Sequence, residues 1–334
     1  MILDLAFLWA LIIAFAVLAY VVLDGFDLGV GILFPYMAGT RNRDTAMNSV
    51  APVWDGNETW LVLGGGGLFA VFPLAYAIIL PALYAPMIAM LLGLILRGVA
   101  FEFRWKTERG KFLWDWAFTS GSLVAALAQG IMLGALVQGI KVEGRAYAGG
   151  WFDWLTPFSL ATGASVVVGY ALLGATWLIL KTVGEVQETA YRLARRLAPV
   201  MIGCIGLFSV WTPFLNPQFL DRWFSWPAIL YVAPVPVLTL FVVVRLLRGL
   251  QSRHEVEPFV ASVVLFVLCF IGLGISLYPM IVPPSISIWA AAGPDKSLAF
   301  LLVGSAVLVP TILAYTAYSY WVFRGKVDPD GGYH

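Results

Sequence analysis

Histidine and cysteine are nearly missing from this chain: each occurs twice in 334 residues. Cys204 and Cys269 both lie inside apolar runs, so no disulfide framework is expected. His254 falls in a polar stretch and His334 is the last residue. A haem inside a helical bundle takes axial ligands from side chains within the helices, and neither histidine is placed to serve. Two cysteines on separate helices exclude an iron–sulfur cluster, and no GxxxxGK(S/T) phosphate loop is present. The chain is therefore expected to hold no metal, and any redox metal must belong to a partner.

Charge is scarce as well. Charged residues are 12% and hydrophobic residues 61%, against about 25% and roughly 45–50% in soluble domains. With a mean hydropathy of +0.88, the composition excludes a soluble enzyme and describes an all-α, polytopic membrane protein in contact with lipid. No nucleic-acid partner is expected. Aromatic residues are plentiful at 15%, with 14 Trp, as suits a protein with many membrane–water interfaces. The start, MILDLAFLWA, has an acid at Asp4 and no basic region or small-residue cleavage site. It is expected to be a retained first helix and not a signal peptide.

A spanning helix needs about 20 mostly apolar residues. That rule predicts nine transmembrane helices, at about 6–36, 52–72, 74–101, 112–139, 157–181, 199–215, 227–247, 258–280 and 298–323. The connections are short, so residues 1–334 form a single integral membrane domain. Arg41, Arg43, Arg97, Arg104, Lys106, Arg109, Lys111, Lys181, Arg192, Arg195, Arg196, Arg245, Arg248, Arg253, Arg324 and Lys326 all fall at one side of this topology. Only Lys141, Arg145, Arg222 and Lys296 fall at the other. Basic residues mark the cytoplasmic side, which places the N-terminus outside and the C-terminus in the cytoplasm. AYVVLDGFDLGVG (19–31) and GYALLGATWLILK (169–181) are loosely alike, which fits two four-helix bundles plus one extra helix.

Ionisable groups at membrane depth are costly, commonly about 2.5–3.5 kcal/mol each on insertion scales, and mark function by default. Helix 1 carries Asp24 and Asp27; helix 2 carries Asp55 and Glu58. Each pair is spaced i,i+3 and shares a helix face. A rise of 1.5 Å per residue puts Asp27 and Asp24 roughly 12–16 Å from the cytoplasmic end, and Asp55 and Glu58 about 4–9 Å in. Helices joined by a short loop are usually neighbours, so the four acids make a stair rising in the order Asp55, Glu58, Asp27, Asp24. A carboxyl group taken out of water holds its proton more readily, as a proton carrier must. A structural reading stands beside this one. Asp55 could cap its helix, and Asp24 and Asp27 could serve backbone bent at Gly25 and Gly29. Arg97, Glu102 and Arg104 are expected to pair at the cytoplasmic interface, and Gly64 to Gly67 to admit a neighbouring helix.

LDGFDLGVG (23–31), SVAPVWDGNETWLV (49–62), LRGVAFEFR (96–104), WDWAF (114–118) and the terminal GYH together resemble subunit II of cytochrome bd-type ubiquinol oxidase, in its cyanide-insensitive branch. The similarity covers the whole chain in length, helix count and motif order. It implies a partner subunit I of related fold, holding two b-type haems and one d-type haem and oxidising ubiquinol near the outer face. A very small single-helix subunit often joins them. The complex reduces O₂ to water with cytoplasmic protons, electrogenic without pumping, in the bacterial inner membrane. Subunit II of this family binds no haem; some members bind a quinone there and others do not, so no quinone residues are assigned. The Asp of the WDGN motif lies in the family's cytoplasmic proton channel, which corresponds to Asp55 here, with Trp54 and Asn57 as motif support. Some members have Gln at the position of Glu58, so the resemblance gives that acid an auxiliary role. The alternative is a stand-alone proton- or cation-coupled transporter, with the same acids as its ion site. Their concentration in the first half of the chain argues against a repeat-built transporter.

Overall fold

The computed structural model describes residues 4–328, so the terminal GYH and His334 lie outside the described residues. The chain is helical almost throughout. The first helix, α1 (Leu5–Leu33), is capped by Asp4, whose side chain accepts from the Phe7 amide. A single 3₁₀ turn and a short helix, α2 (Gly39–Asn48), lead to α3 (Trp54–Val71). Next come α4 (Pro73–Ala82), α5 (Tyr84–Lys106), α6 (Lys111–Gln138), α7 (Pro157–Lys181) and α8 (Gly184–Trp211). Two short helices, α9 (Pro217–Phe224) and α10 (Ala228–Val232), precede α11 (Pro234–Gln251) and α12 (Glu257–Leu277). A four-residue turn of helix, α13 (Ile288–Ala291), precedes the last long helix, α14 (Asp295–Val322). Two antiparallel ribbons close loops: β1 (Val142–Glu143) with β2 (Ala146–Tyr147), and β3 (Met280–Val282) with β4 (Ile286–Ser287).

Among the described residues, eight helical stretches are long and apolar enough to cross a membrane, and nine if the bent pair α3 and α4 counts as one. The expected third span, 74–101, is broken. α4 turns 119° from α3 and ends at Ala82, and the long helix begins only at Tyr84. Pro73 heads α4; lacking an amide hydrogen, it cannot extend the ladder of α3. The expected sixth span, 199–215, begins instead at Gly184. The added turns are polar, but Val186, Ala190, Ala194 and Ala198 are buried at four-residue spacing, a single apolar stripe that packs the helix down.

α1 and α7 cross with their backbones in contact. A Cβ on Gly29 would lie 1.8 Å from the Tyr170 carbonyl oxygen, and one on Gly174 would lie 2.3 Å from the Gly29 carbonyl carbon. These glycines let two backbones touch; α1 runs through Gly25 and Gly29 without a break. α5 packs on α6, α6 on α7, and α1 on α3, α6 and α7; a second group joins α7, α8, α11 and α12. α14 lies against α1 and α3. Tyr20 and Tyr170 stand at matching positions of the weak repeat and meet at one side chain: Gln129 Nε2 donates to the Tyr20 hydroxyl (2.8 Å), and the Tyr170 hydroxyl donates to Gln129 Oε1 (2.7 Å).

Candidate functional site

The WDGN segment opens α3. Val53 is its N-cap residue, so Asp55 sits one position inside the helix and does not cap it. Trp54 stacks on Phe101 at a centroid distance of 4.7 Å and 10° between ring planes, which pins the head of α3 to α5. With Trp54 held inward, the following residues fan round the helix at 100° steps. Asp55 turns to the surface; its carboxylate is exposed and has no hydrogen-bond or ion-pair partner among the described residues. Asn57 is buried and Glu58 half-buried.

Asn57 is the hinge of one contact chain. Its Nδ2 donates to Asp27 Oδ2 at 2.7 Å and to the Leu23 carbonyl at 3.3 Å, and its Oδ1 accepts from the Tyr320 hydroxyl at 3.0 Å. α1, α3 and α14 therefore meet at one amide. Glu58 heads a second chain. Arg97 Nη2 lies 2.5 Å from Glu58 Oε1 and 2.6 Å from Asp24 Oδ1, and Arg97 and Asp24 are fully buried. The contact with Asp24 is an ion pair without hydrogen-bond alignment. Both Asp24 oxygens, Asp27 Oδ1, and Arg97 Nε and Nη1 are buried with no hydrogen-bond partner among the described residues. Asp24 stands one helical turn after Tyr20, so the chain continues toward the Tyr20–Gln129–Tyr170 set.

The four expected acids are thus gathered at one locus, but as two branches and not one stair. Glu58 and Asp24 share a guanidinium, Asp27 sits on Asn57, and Asp55 stands outside. Of the two structural alternatives, capping by Asp55 finds no support, since Val53 is the N-cap residue, and α1 is unbroken at its acids. Arg97 corrects the expectation of interfacial pairing. It joins acids on α1 and α3, while among the described residues Glu102 meets only Lys106, at 3.7 Å on an exposed surface. Arg104, also buried, binds Asp44 and Asp115 at 2.6 Å each, and Asp115 also binds Arg43 at 2.8 Å. Residue reading alone missed Arg97 as a site residue, along with Tyr320 and Gln129. An arginine inside an apolar run was the available signal for the first; nothing in the sequence marks the other two. Of the glycine run, Gly64 and Gly67 face Val17 and Ile13, whereas Gly65 and Gly66 face open space.

A family model described as "Cytochrome bd terminal oxidase subunit II" matches residues 5–323. The chain belongs to this subunit II family. It is 32% identical to subunit 2 of the cytochrome bd-I ubiquinol oxidase of Escherichia coli K12, over 98% of this chain and 96% of that one. It is 28% identical to subunit 2 of the cytochrome bd ubiquinol oxidase of Bacillus subtilis 168, over 96% of each. The bd oxidase structure from Geobacillus thermodenitrificans has the same fold, with a TM-score of 0.80 at 19% identity over 96% of this chain and 99% of that one. The subunit II family is one of oxidoreductase complexes, and this full-length similarity gives the stand-alone transporter no support. Haem belongs to such complexes. In this subunit II, His254 is exposed and bonded to Glu257 at the head of α12, a place that does not suit an axial ligand buried among helices.

Proposed function

We propose that this chain is the haem-free subunit II of a bd-type quinol oxidase, supporting a haem-bearing subunit I and carrying protons inward from the cytoplasmic face. The observation that carries the proton reading is the buried cluster of Asp24, Asp27, Glu58 and Arg97. Placing two fully buried acids and a half-buried one around one cation is expensive, and the cluster begins one helical turn from exposed Asp55. In this reading Asp55 collects protons at the mouth. Glu58 and Asp24 pass them along the Arg97 branch, with Asp27 on the other, and Arg97 offsets the charge of the loaded route. Trp54 and Asn57 hold the head of α3 in register with α5 and α1.

The architecture we infer is a single integral membrane domain of nine spans, arranged as two four-helix units plus the last helix. The N-terminus is outside and the C-terminus cytoplasmic, in the bacterial inner membrane. The one-sided distribution of Lys and Arg supports the orientation, and the meeting of Tyr20 and Tyr170 at Gln129 supports the two-unit repeat. Subunit I would hold the two b-type haems and the d-type haem, take electrons from ubiquinol and reduce O₂ to water, with a small single-helix subunit alongside. Purification through this chain tests the reading. A co-purifying partner with b- and d-haem absorbance and quinol-driven oxygen uptake is expected; a colourless single chain would contradict it.

A further inference from the structure

α14 brings hydroxyl groups to the head of α3, in a place that the proton route described so far does not use. Thr316, Ser319 and Tyr320 are spaced three and four residues apart and so share one face of α14. With Gly56, Asn57 and Tyr315 they line a crevice with room for about one water molecule. Thr316 Oγ1 is buried in it without a hydrogen-bond partner among the described residues. A threonine side chain is free to bond back to its own helix, as Thr311 does to Val307 at 2.7 Å, yet Thr316 does not. An orphaned hydroxyl in a polar crevice of this size is the usual seat of a bound water. On the far side of the crevice, Tyr320 holds the Asn57 carbonyl oxygen and thereby turns the Asn57 amide nitrogen onto Asp27. Asn57 therefore touches both the crevice and a buried carboxylate.

We propose that the α3–α14 crevice is a water site, bound by Thr316 Oγ1 beside Tyr320, which forms a second inlet to the acid cluster and serves Asp27 separately from the Asp55–Glu58 mouth. The inference rests on the proton reading above. Its ligand is water; the proton arrives on that water, is replaced from bulk, and only O–H bonds are made or broken. Tyr320 and Asn57 are positioning residues: by keeping the amide nitrogen on Asp27 Oδ2, they leave Asp27 Oδ1, which has no partner, as the accepting oxygen. Gly56 fits this use. A Cβ there would meet only Tyr315, at 3.4 Å, so the backbone tolerates a methyl group, but the methyl takes the space of the water.

The test uses the whole oxidase carrying Thr316→Val, Thr316→Ser or Gly56→Ala, with haem absorbance per protein reporting assembly. Thr316→Val is expected to slow quinol-driven oxygen uptake roughly tenfold, below the usual range for losing a proton-transfer group outright because the Asp55 mouth remains. It should also raise the H₂O/D₂O rate ratio, and Thr316→Ser should restore both. Gly56→Ala should behave like Thr316→Val, and a high-resolution map of the wild-type complex should show a water peak within hydrogen-bond reach of Thr316 Oγ1. The map and Gly56→Ala decide the matter whatever the folding of the valine variant. An empty crevice overturns the proposal. So do Thr316→Val and Gly56→Ala complexes with wild-type rate and isotope ratio while Asp27→Asn is slow. Full speed in Asp27→Asn itself removes the proton reading, and the inlet with it.

Discussion

Arg97 and Asp24 face each other from α5 and α1 with Nη2 and Oδ1 2.6 Å apart, and neither side chain touches solvent. The same nitrogen reaches Glu58 on α3, so one cation compensates acids of two other helices. Removing one partner of a buried pair typically costs about 3–5 kcal/mol, because the remaining charge is left alone. Arg97→Met should therefore lower the unfolding temperature of the detergent-solubilised complex sharply and reduce its haem content. Arg97→Lys, which keeps the charge but loses the fork geometry, should fall between. Wild-type stability in Arg97→Met would show that the pair is not structural.

The α1–α7 crossing predicts a contrast between glycines. Gly29→Ala would push a methyl group into the Tyr170 carbonyl and should destabilise the complex by about 1–3 kcal/mol or more. Gly66→Ala meets nothing within 4 Å and should stay within about 0.5 kcal/mol of wild type. Thermal unfolding of the two variants side by side checks this. Equal stability would mean that the crossing is looser than described.

Residues following α14 are strapped to the bundle: Lys326 Nζ lies 2.9 Å from Glu255 and donates to the Ile179 carbonyl (3.1 Å), and the Val327 amide donates to the Lys181 carbonyl (2.7 Å). The Lys326 hydrogen bond, with help from Gln187, holds the Glu255 carboxyl below its ordinary value. A carboxylate with a depressed folded-state pKa stabilises above its unfolded value and loses that contribution as pH falls through the folded one. Docking of residues 323–328 should hence be constant from about pH 5 upward and weaken in acid. Hydrogen exchange of the segment should show this in the wild type and not in Glu255→Gln. Release on raising the pH through neutrality would contradict the assignment.

Asp55 is exposed and has no partner among the described residues, so its removal should leave packing intact. Asp55→Asn is expected to assemble with full haem content and yet greatly slow oxygen uptake from quinol. Wild-type turnover at full haem content would take Asp55 out of the route; loss of haem would give it a scaffolding role.

The long spans were legible because apolar runs of about 20 residues have few other fates. The turn between α3 and α4 at Pro73 fell between two expected spans, whereas the break at Leu83 before α5 was hidden inside an apolar run. The first half of α8 was missed because its apolar stripe is one residue in four, too thin for a hydropathy window. At the site, the acids announced themselves by their cost in a membrane; i,i+3 spacing put Asp55 and Glu58 on one helix face, but Asp55 is exposed while Glu58 reaches Arg97. Their partners did not show. An arginine near a helix end normally reaches for the interface; Arg97 is turned inward by acids from helices distant in sequence. Tyr320 belongs to the last helix, and only packing could bring it to Asn57.

The oxygen-uptake rate of a haem-replete Asp27→Asn oxidase, driven by quinol, bears most directly on the central claim that the buried acids of this subunit carry protons. The account predicts a loss of about a hundredfold, the scale of removing a proton-transfer group, with haem spectrum and assembly unchanged. A wild-type rate in that variant would contradict it.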